Sequence, residues 1–339
     1  VTILVTADWH VSENPRDNYR WLWLRKLPKL LQKHKVDLLL VLGDLSEAKG
    51  RHEAELVNQL VDIFRELAEI CPVVVLQGNH DGFSADNPFF RFLEAIERVS
   101  WVGRPTPSRE FQNVPVFCQK ALGRGAIFLP HSPSPERDWT KLDLKSYDWA
   151  FTHQCYENSE SESGFKLPGT PLSVFPRGLK VISGDIHKPQ TVGPVTYVGS
   201  PYAIDFGDSF EPRVLLINDK GQLQSLLCEG PQKRLVEIKS VSELKAVKGL
   251  SPEDILKVRV EIAPAQHAEW PEIVTKVRAW GLDNKYDIYA VQPNVKAERR
   301  SMSKVRKDAP KRSDVELLRE YAQRRQVDEK TLKAGETLL

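Results

Sequence analysis

Two apolar segments far apart in this chain finish on the same pattern. "ILVTADWH" closes on Asp8 and His10, and "VISGDIHKPQ" holds Asp185 and His187. Side chains alternate along a strand, so residues i and i+2 share a face, about 6–7 Å apart. Each Asp-x-His pair therefore aims an oxygen and a nitrogen donor at one small region, the donor types that take divalent cations. One such pair alone is ordinary, because polar residues follow apolar strands as turn formers. Here other segments end alike: "DLLLVLGDLSEAKG" in Gly43-Asp44, "CPVVVLQGNHDG" in Gly78-Asn79-His80-Asp81, and "WAFTHQ" in His153. Asp8, His10, Asp44, Asn79, His80, His153, Asp185 and His187 thus fall at the carboxyl ends of strand candidates, where ligands gather in α/β sheets. Asp44, Asn79 and Asp185 each follow a glycine, which permits a tight turn. The pattern predicts a metal site.

The elements that must position these tips are short apolar runs alternating with helical patterns. Strands are expected over Ile3–Ala7, Asp37–Leu42, Pro72–Leu76, Gly125–Pro130, Trp149–Thr152 and Lys180–Ser183. In "RHEAELVNQLVDIFRELAEI", Leu56, Val57, Leu60, Val61, Phe64, Leu67 and Ala68 follow one helical face. "YRWLWLRKLPKLLQKH" is also helical, with Pro28 predicting a kink or two shorter helices. Strand–helix–strand–helix–strand at the start implies an α/β layered core.

Three regions are expected: 1–228, 229–295 and 296–339. The second reads as a smaller α/β domain, with strands at "ILKVRVEIA" and "YDIYAVQPNV" around the helix "EWPEIVTKVRAWG". The third opens on Lys296–Arg312, eight basic residues against two acidic, which reads as an exposed linker. It ends in an amphipathic stretch with Val315, Leu318, Tyr321 and Ala322 at helical spacing, a docking element by its isolation from a core.

Bulk composition narrows the class. Of 339 residues, 41% are hydrophobic and 28% charged, which is globular composition. Lys plus Arg is 48 against 46 acidic residues, so whole-chain charge neither demands nor excludes a polyanionic partner. Four cysteines lie apart without Cys-x-x-Cys, arguing against a finger-type zinc site and against a disulfide framework. The absence of a long apolar run or a signal-peptide pattern leads to the expectation of a soluble, cytoplasmic protein with no membrane contact. His34, His131 and His267 have no partner at ligand spacing and read as surface or core residues. The eight tryptophans read as packing, and Cys155 shows no sign of being a nucleophile.

Asp-x-His, Gly-Asp, Gly-Asn-His-Asp, His and Gly-x-x-His in this order resemble the calcineurin-like metallophosphoesterase superfamily, over about residues 1–206. The resemblance implies a two-layer β-sandwich flanked by helices and holding two divalent metal ions. By position, Asp8, His10 and His187 would bind one metal, Asn79, His153 and Asp185 the other, and Asp44 would bridge them. His80 would be the proton donor, with Glu47 the acid that orients it. One departure matters: the usual Gly-His-x-His is here Gly-Asp-x-His. Asp185 replaces an imidazole with a hard oxygen donor, favouring manganese, or magnesium, over softer ions. Direct ligation is the expectation; the alternative is that Asp185 binds through water or orients His187.

The substrate follows less directly. "TYVGSPYAIDFGD" resembles the segment after the last metal motif in SbcD-type double-strand-break repair nucleases, and the small second domain and terminal helix resemble their capping domain and docking element. That resemblance implies a DNA exonuclease, with endonuclease activity beside it, working with an SbcC-like coiled-coil ATPase; a homodimer is compatible with it. Lys49, Arg51, His52 and Lys188 flank the motifs and are the expected DNA contacts. A phosphodiesterase or phosphatase for a small phosphoester is the alternative, and a scaffold that has lost chemistry through Asp185 a third reading.

Overall fold

Valine, isoleucine and leucine runs, too short for helices and bounded by glycine or polar residues, give the strands that carry the candidate residues. In the computed structural model of the protein, the described residues are 1–84, 87–112, 114, 118, 122–161, 164–208, 210–295, 314–325 and 329–336. They divide into two compact units, Val1–Asn294 and Val295–Leu339.

In the first unit, β1 (Thr2–Thr6), β2 (Leu38–Leu42), β3 (Val73–Leu76) and β4 (Val99–Val102) lie side by side and parallel. A second sheet contains β5 (Thr106–Pro107), β6 (Ala126–Leu129), β7 (Trp149–His153), β8 (Lys180–Gly184), β9 (Gln190–Val192) and β10 (Val195–Tyr197), in the order β5-β6-β7-β8-β10-β9. The chain then returns to the first sheet with β11 (Arg213–Asn218) and β12 (Leu223–Leu227), giving β12-β11-β1-β2-β3-β4. Inner faces of the two sheets share one core, in which Val5, Leu40 and Leu76 meet Phe128, Phe151 and Ile182. Phe128 and Phe151 stack at 5.0 Å; truncating either ring would cost about 3–5 kcal/mol. Helices cover the outer face of the first sheet, and short turns and loops that of the second, so the sandwich and its flanking layers agree with the expected fold class.

Between β1 and β2 the chain makes two helices, α1 (Asn18–Leu24) and α2 (Leu27–Lys33). Pro28 falls in the first turn of α2, where its missing N–H leaves no helical bond unmade. The long helix α3 (Ala54–Ile70) joins β2 to β3 and buries Leu56, Leu60, Ile63, Phe64, Leu67 and Ala68, while Val57 and Val61 are half-buried. A single turn, α4 (Pro135–Asp138), follows β6.

The rest of this unit is a third sheet, β13 (Lys233–Ile238), β14 (Ile255–Ile262) and β15 (Asp287–Val295), with β13 and β14 parallel. Helix α5 (Trp270–Asp283) packs on it. At Gly281 a Cβ would stand 2.6 Å from Ile288 Cδ1, so only glycine lets the helix lie this close. Polar contacts tie the third sheet to the sandwich. Lys233 Nζ donates to Asp17 Oδ1 and to the Ile204 carbonyl, each at 2.9 Å. Arg16 donates to the Tyr289 carbonyl at 2.7 Å. Strand β13 was absent from the sequence reading.

The second unit contains α6 (Asp314–Arg325) and α7 (Glu329–Glu336), which contact each other. Ala322 is buried and Tyr321 exposed. The basic run Lys296–Arg312 and the terminal leucines lie outside the described residues. No helix among the described residues is long and apolar enough to cross a membrane.

Candidate metal centre

Five strand tips, those of β1, β2, β3, β7 and β8, converge at one edge of the sandwich. Hydrogen bonding continues beyond the first two strands: Asp8 N–H donates to the Gly43 carbonyl at 3.1 Å and His10 N–H to the Asp44 carbonyl at 2.9 Å. Asp185 N–H reaches across to Asp8 Oδ1 at 3.0 Å, joining the two sheets at the site. Asp8, His10, Asp44 and Asp185 all adopt positive φ, at 55°, 40°, 54° and 83°. Such backbone costs on the order of 1–3 kcal/mol per residue and persists where its surroundings over-determine it. Gly43, at φ 83°, brings β2 so close to β7 that a Cβ there would stand 2.5 Å from His153 Nδ1.

The side chains form overlapping donor groups. Asp8, His10 and His187 make one, Asp8, Asp44 and His153 a second, and His10, Asp44 and His80 a third, each with its ligand atoms within 4.8 Å of one another. The Nε2 atoms of His10 and His187 are 3.2 Å apart. Asp44 Oδ2 lies 3.3 Å from both His10 Nε2 and His153 Nε2, so it sits between the groups. Asp185 Oδ1 is 3.7 Å from His153 Nε2. The Asn79 amide directs its NH2 to Asp44 at 3.0 and 3.1 Å and to His153 Nε2 at 3.0 Å. Its carbonyl oxygen, which a half-turn of the amide exchanges with NH2, is the atom a cation would take.

This arrangement fits divalent cations. Asp8 Oδ2 is wholly buried and has no hydrogen-bond partner among the described residues. His153 Nδ1–H donates to the Leu42 carbonyl at 2.6 Å, which turns the Nε2 lone pair toward Asp44, Asn79 and Asp185. That is the orientation imposed on a ligating histidine by its outer partner. Electrostatics say the same. Burial lifts the Asp8 carboxyl to about 7, with Asp44 adding to the rise and His153 opposing it. Burial also works against ionisation of Asp44, but the His153 and His10 imidazoles facing it hold its pKa well below the usual range. Burial and the His10 ring together push His187 down to about 3. Carboxylates and imidazoles crowded at this density, with pKa values pushed in opposite directions, mark a candidate functional site.

The remaining predicted residues separate. His80 N–H donates to Asp44 Oδ1 at 2.8 Å, and its ring lies 4.9 Å from that of His10, so it reaches the donor cluster. Glu47 needs correction. Its carboxylate faces His10 Nδ1 at 3.5 Å and Arg20 at 3.3 Å, and it is the Glu47 carbonyl that accepts from His80 Nδ1, at 2.8 Å. The expected DNA contacts lie in different surroundings. The His52 ring lies 4.3 Å from Phe89 and 5.0 Å from Phe90, and burial lowers its pKa, so it is neutral packing. Lys188 is paired with Glu160 at 2.9 Å. Lys49 and Arg51 are exposed.

Other groups escaped sequence reasoning. Asp81, fully buried, accepts from the N–H groups of Gly78, Leu45 and Asp44 at 2.7, 2.8 and 3.0 Å and so locks two tips together. His131, read from the sequence as a surface or core residue, stands just beyond the end of β6 with its ring 6.3 Å from that of His153. The strand-end rule that selected His153 would have selected it too. Arg20 is 3% exposed and donates to the His10 carbonyl. No local pattern sets it apart from other basic residues on an amphipathic helix.

A profile of the calcineurin-like phosphoesterase family matches residues 1–189. "Uncharacterized protein R555" of Acanthamoeba polyphaga mimivirus is 22% identical over 353 aligned positions, covering 96% of this chain and 25% of that protein. "Putative phosphoesterase 078R" of Invertebrate iridescent virus 3 is 25% identical over 237 positions, 65% of this chain and 63% of the relative. The chain thus spans less than two thirds of either relative's length. Among solved structures, the Pseudomonas putida nuclease MPE matches with a TM-score of 0.32 and 16% identity over 66% of this chain and 87% of its own. GAP50, the anchor in the inner membrane complex of Plasmodium, matches with a TM-score of 0.40 and 13% identity over 68% and 89%. Both scores are low, and neither likeness bears on activity. The family profile takes in more than half of the chain and every donor described above, and the chain belongs to the calcineurin-like phosphoesterase family.

Proposed function

We propose that this phosphoesterase is a metal-dependent DNA nuclease of the SbcD type, cutting phosphodiesters by exonucleolytic and endonucleolytic attack with an SbcC-like coiled-coil ATPase as partner. The observation that carries hydrolysis is the pair of donor groups on either side of Asp44, with His80 at their edge. The DNA reading draws support from the exposed Lys49 and Arg51 on the loop that also contacts His80. It draws further support from the Gly199–Pro201 segment, whose neighbour Tyr202 donates to the Trp9 carbonyl between Asp8 and His10.

Asp8, His10 and His187 would hold one cation, Asn79, His153 and Asp185 the other, and Asp44 both. When bound, two such ions, manganese or magnesium, supply Lewis acidity that acidifies a shared water and neutralises phosphoryl charge. The Asp44 carboxylate offsets the repulsion between like charges. His80 would deliver the proton to the leaving oxygen. Its Nδ1–H donates to the Glu47 carbonyl, so a neutral ring presents only a lone pair at Nε2, and proton delivery requires the imidazolium. Arg20 holds the His10 backbone and the Glu47 carboxylate, fixing the ring that faces both.

Time courses with manganese on a labelled linear duplex, run beside a chromogenic phosphodiester, test the proposal. Degradation of the duplex is expected. Turnover of the small ester alone would make this a small-phosphoester enzyme, and absence of both turnover and metal uptake would make it a scaffold. Copurification of a coiled-coil ATPase, lost when residues 314–336 are removed, tests the partner.

A further inference from the structure

Two phenylalanine rings stand in solvent on the loops that leave ligand-bearing strands. Phe83, 81% exposed, follows His80 on the loop after β3, and Phe165, 73% exposed, sits on the loop after β7 and His153. One exposed apolar residue on a surface is ordinary. Here, however, the two most exposed large aromatic rings of the described residues both lie on loops that follow ligand-bearing strands.

The Phe83 ring lies against the backbone of Gly50, between Lys49 and Arg51: a Cβ at Gly50 would stand 2.5 Å from Phe83 Cδ2 and 3.2 Å from its Cζ. Phe165 sits on a hairpin. Glu160 bridges to Lys166, and Ser161 closes the tip with its N–H on the Phe165 carbonyl at 2.8 Å and its Oγ accepting from Phe165 N–H at 3.2 Å. Lys188, next to His187, ties this hairpin to the site through Glu160 at 2.9 Å, and Gln190 donates to the Glu160 carbonyl at 2.7 Å. Exposed lysine or arginine flanks each ring: Lys49 and Arg51 beside Phe83, Lys166 beside Phe165.

Exposed aromatic faces interleaved with cations are the elements of single-strand nucleic-acid grips, where charge tracks the backbone and rings stack on bases. We infer that Phe83 and Phe165 are stacking platforms for unpaired nucleobases, so that the site takes a single-stranded or frayed nucleic-acid end; this rests on the nuclease reading above. A duplex keeps its bases stacked on one another and offers these rings nothing, whereas an unpaired end offers a π-face whatever its sequence.

The test is fluorescence anisotropy with a labelled oligothymidylate and an abasic oligomer of equal length and charge, both in EDTA to prevent cutting. Wild type is expected to prefer the oligothymidylate. Phe83→Ala and Phe165→Ala should each weaken that binding by roughly tenfold or more while leaving abasic binding unchanged. Phe83→Trp should retain affinity, and thermal unfolding of the variants should match wild type. Equal binding of both oligomers by wild type, or full oligothymidylate affinity in both alanine variants, overturns the stacking role while leaving the nuclease reading standing. Failure of wild type to bind either oligomer overturns the nucleic-acid reading and this inference with it.

Discussion

Two clusters of buried charge are linked through Arg20, yet they are built on opposite terms. Around Asp17 every charge faces its opposite: Lys233 at 2.9 Å, Arg20 at 3.6 Å, and the Ser12 hydroxyl at 2.7 Å. Around Asp44, carboxylates and imidazole nitrogens face one another, one Asp8 oxygen has no hydrogen-bond partner among the described residues, and burial carries the Asp8 carboxyl to about 7. A buried cluster that satisfies itself fastens the third sheet to the sandwich. One that does not satisfy itself is completed by something the chain does not supply. The difference separates a structural ion pair from a functional site more sharply than burial or conservation of charge type could.

Breaking each cluster should therefore have different consequences. The largest effect is expected from Asp44→Ala, which removes the carboxylate shared by the donor groups. Hydrolysis of a chromogenic phosphodiester should fall on the order of 10³-fold or more, and the rise in melting temperature on adding manganese should vanish. Lys233→Met breaks the other cluster. It leaves Asp17 short of its nearest cation and should cost about 3–5 kcal/mol in urea unfolding, by the same amount with or without manganese. His80→Ala should lower kcat by about 10²-fold or more while manganese affinity, measured by calorimetry, stays near wild type.

Arg20→Lys probes the link between the clusters. Lysine keeps the charge but not the fork that reaches the His10 carbonyl, the Glu47 carboxylate and the Ile204 carbonyl together. Manganese affinity should weaken about tenfold, as for other outer partners of metal ligands. The smallest effect is on pH dependence. Burial opposes ionisation of Asp17, but Arg20 and Lys233 outweigh it and hold its pKa below the ordinary 3.8. A depressed folded pKa gives stability that is present above the unfolded value and lost as pH falls through the folded one. The advantage of wild type over Asp17→Asn in urea should thus be full at neutral pH and fade below about pH 4.

The same contrast explains what the amino-acid sequence disclosed. Strand tips were legible because short, continuous apolar runs end abruptly in Gly-Asp, Gly-Asn-His and Asp-x-His, each a local pattern. Helix α3 was legible through its 3.6-residue period, although Ile63 is buried where Val57 and Val61 are only half-buried. The Asp17–Arg20–Lys233 cluster was invisible, because its members lie as far apart as 216 residues and each looks like a solvated charge. Strand β13 hid for the same reason: it opens on Lys233, a buried lysine that reads as surface. Glu47 was found by position but given the wrong atom, since only the fold shows its carbonyl on His80 and its carboxylate on His10.

The claim beneath all of this is that the crowded donors enclose a pair of cations sharing Asp44. Manganese titration followed by electron paramagnetic resonance addresses it most directly. Two ions per chain with the signature of magnetic coupling are expected for wild type, and no coupled signal for Asp44→Ala. A chain that binds no manganese, or whose coupled pair survives loss of Asp44, would contradict it.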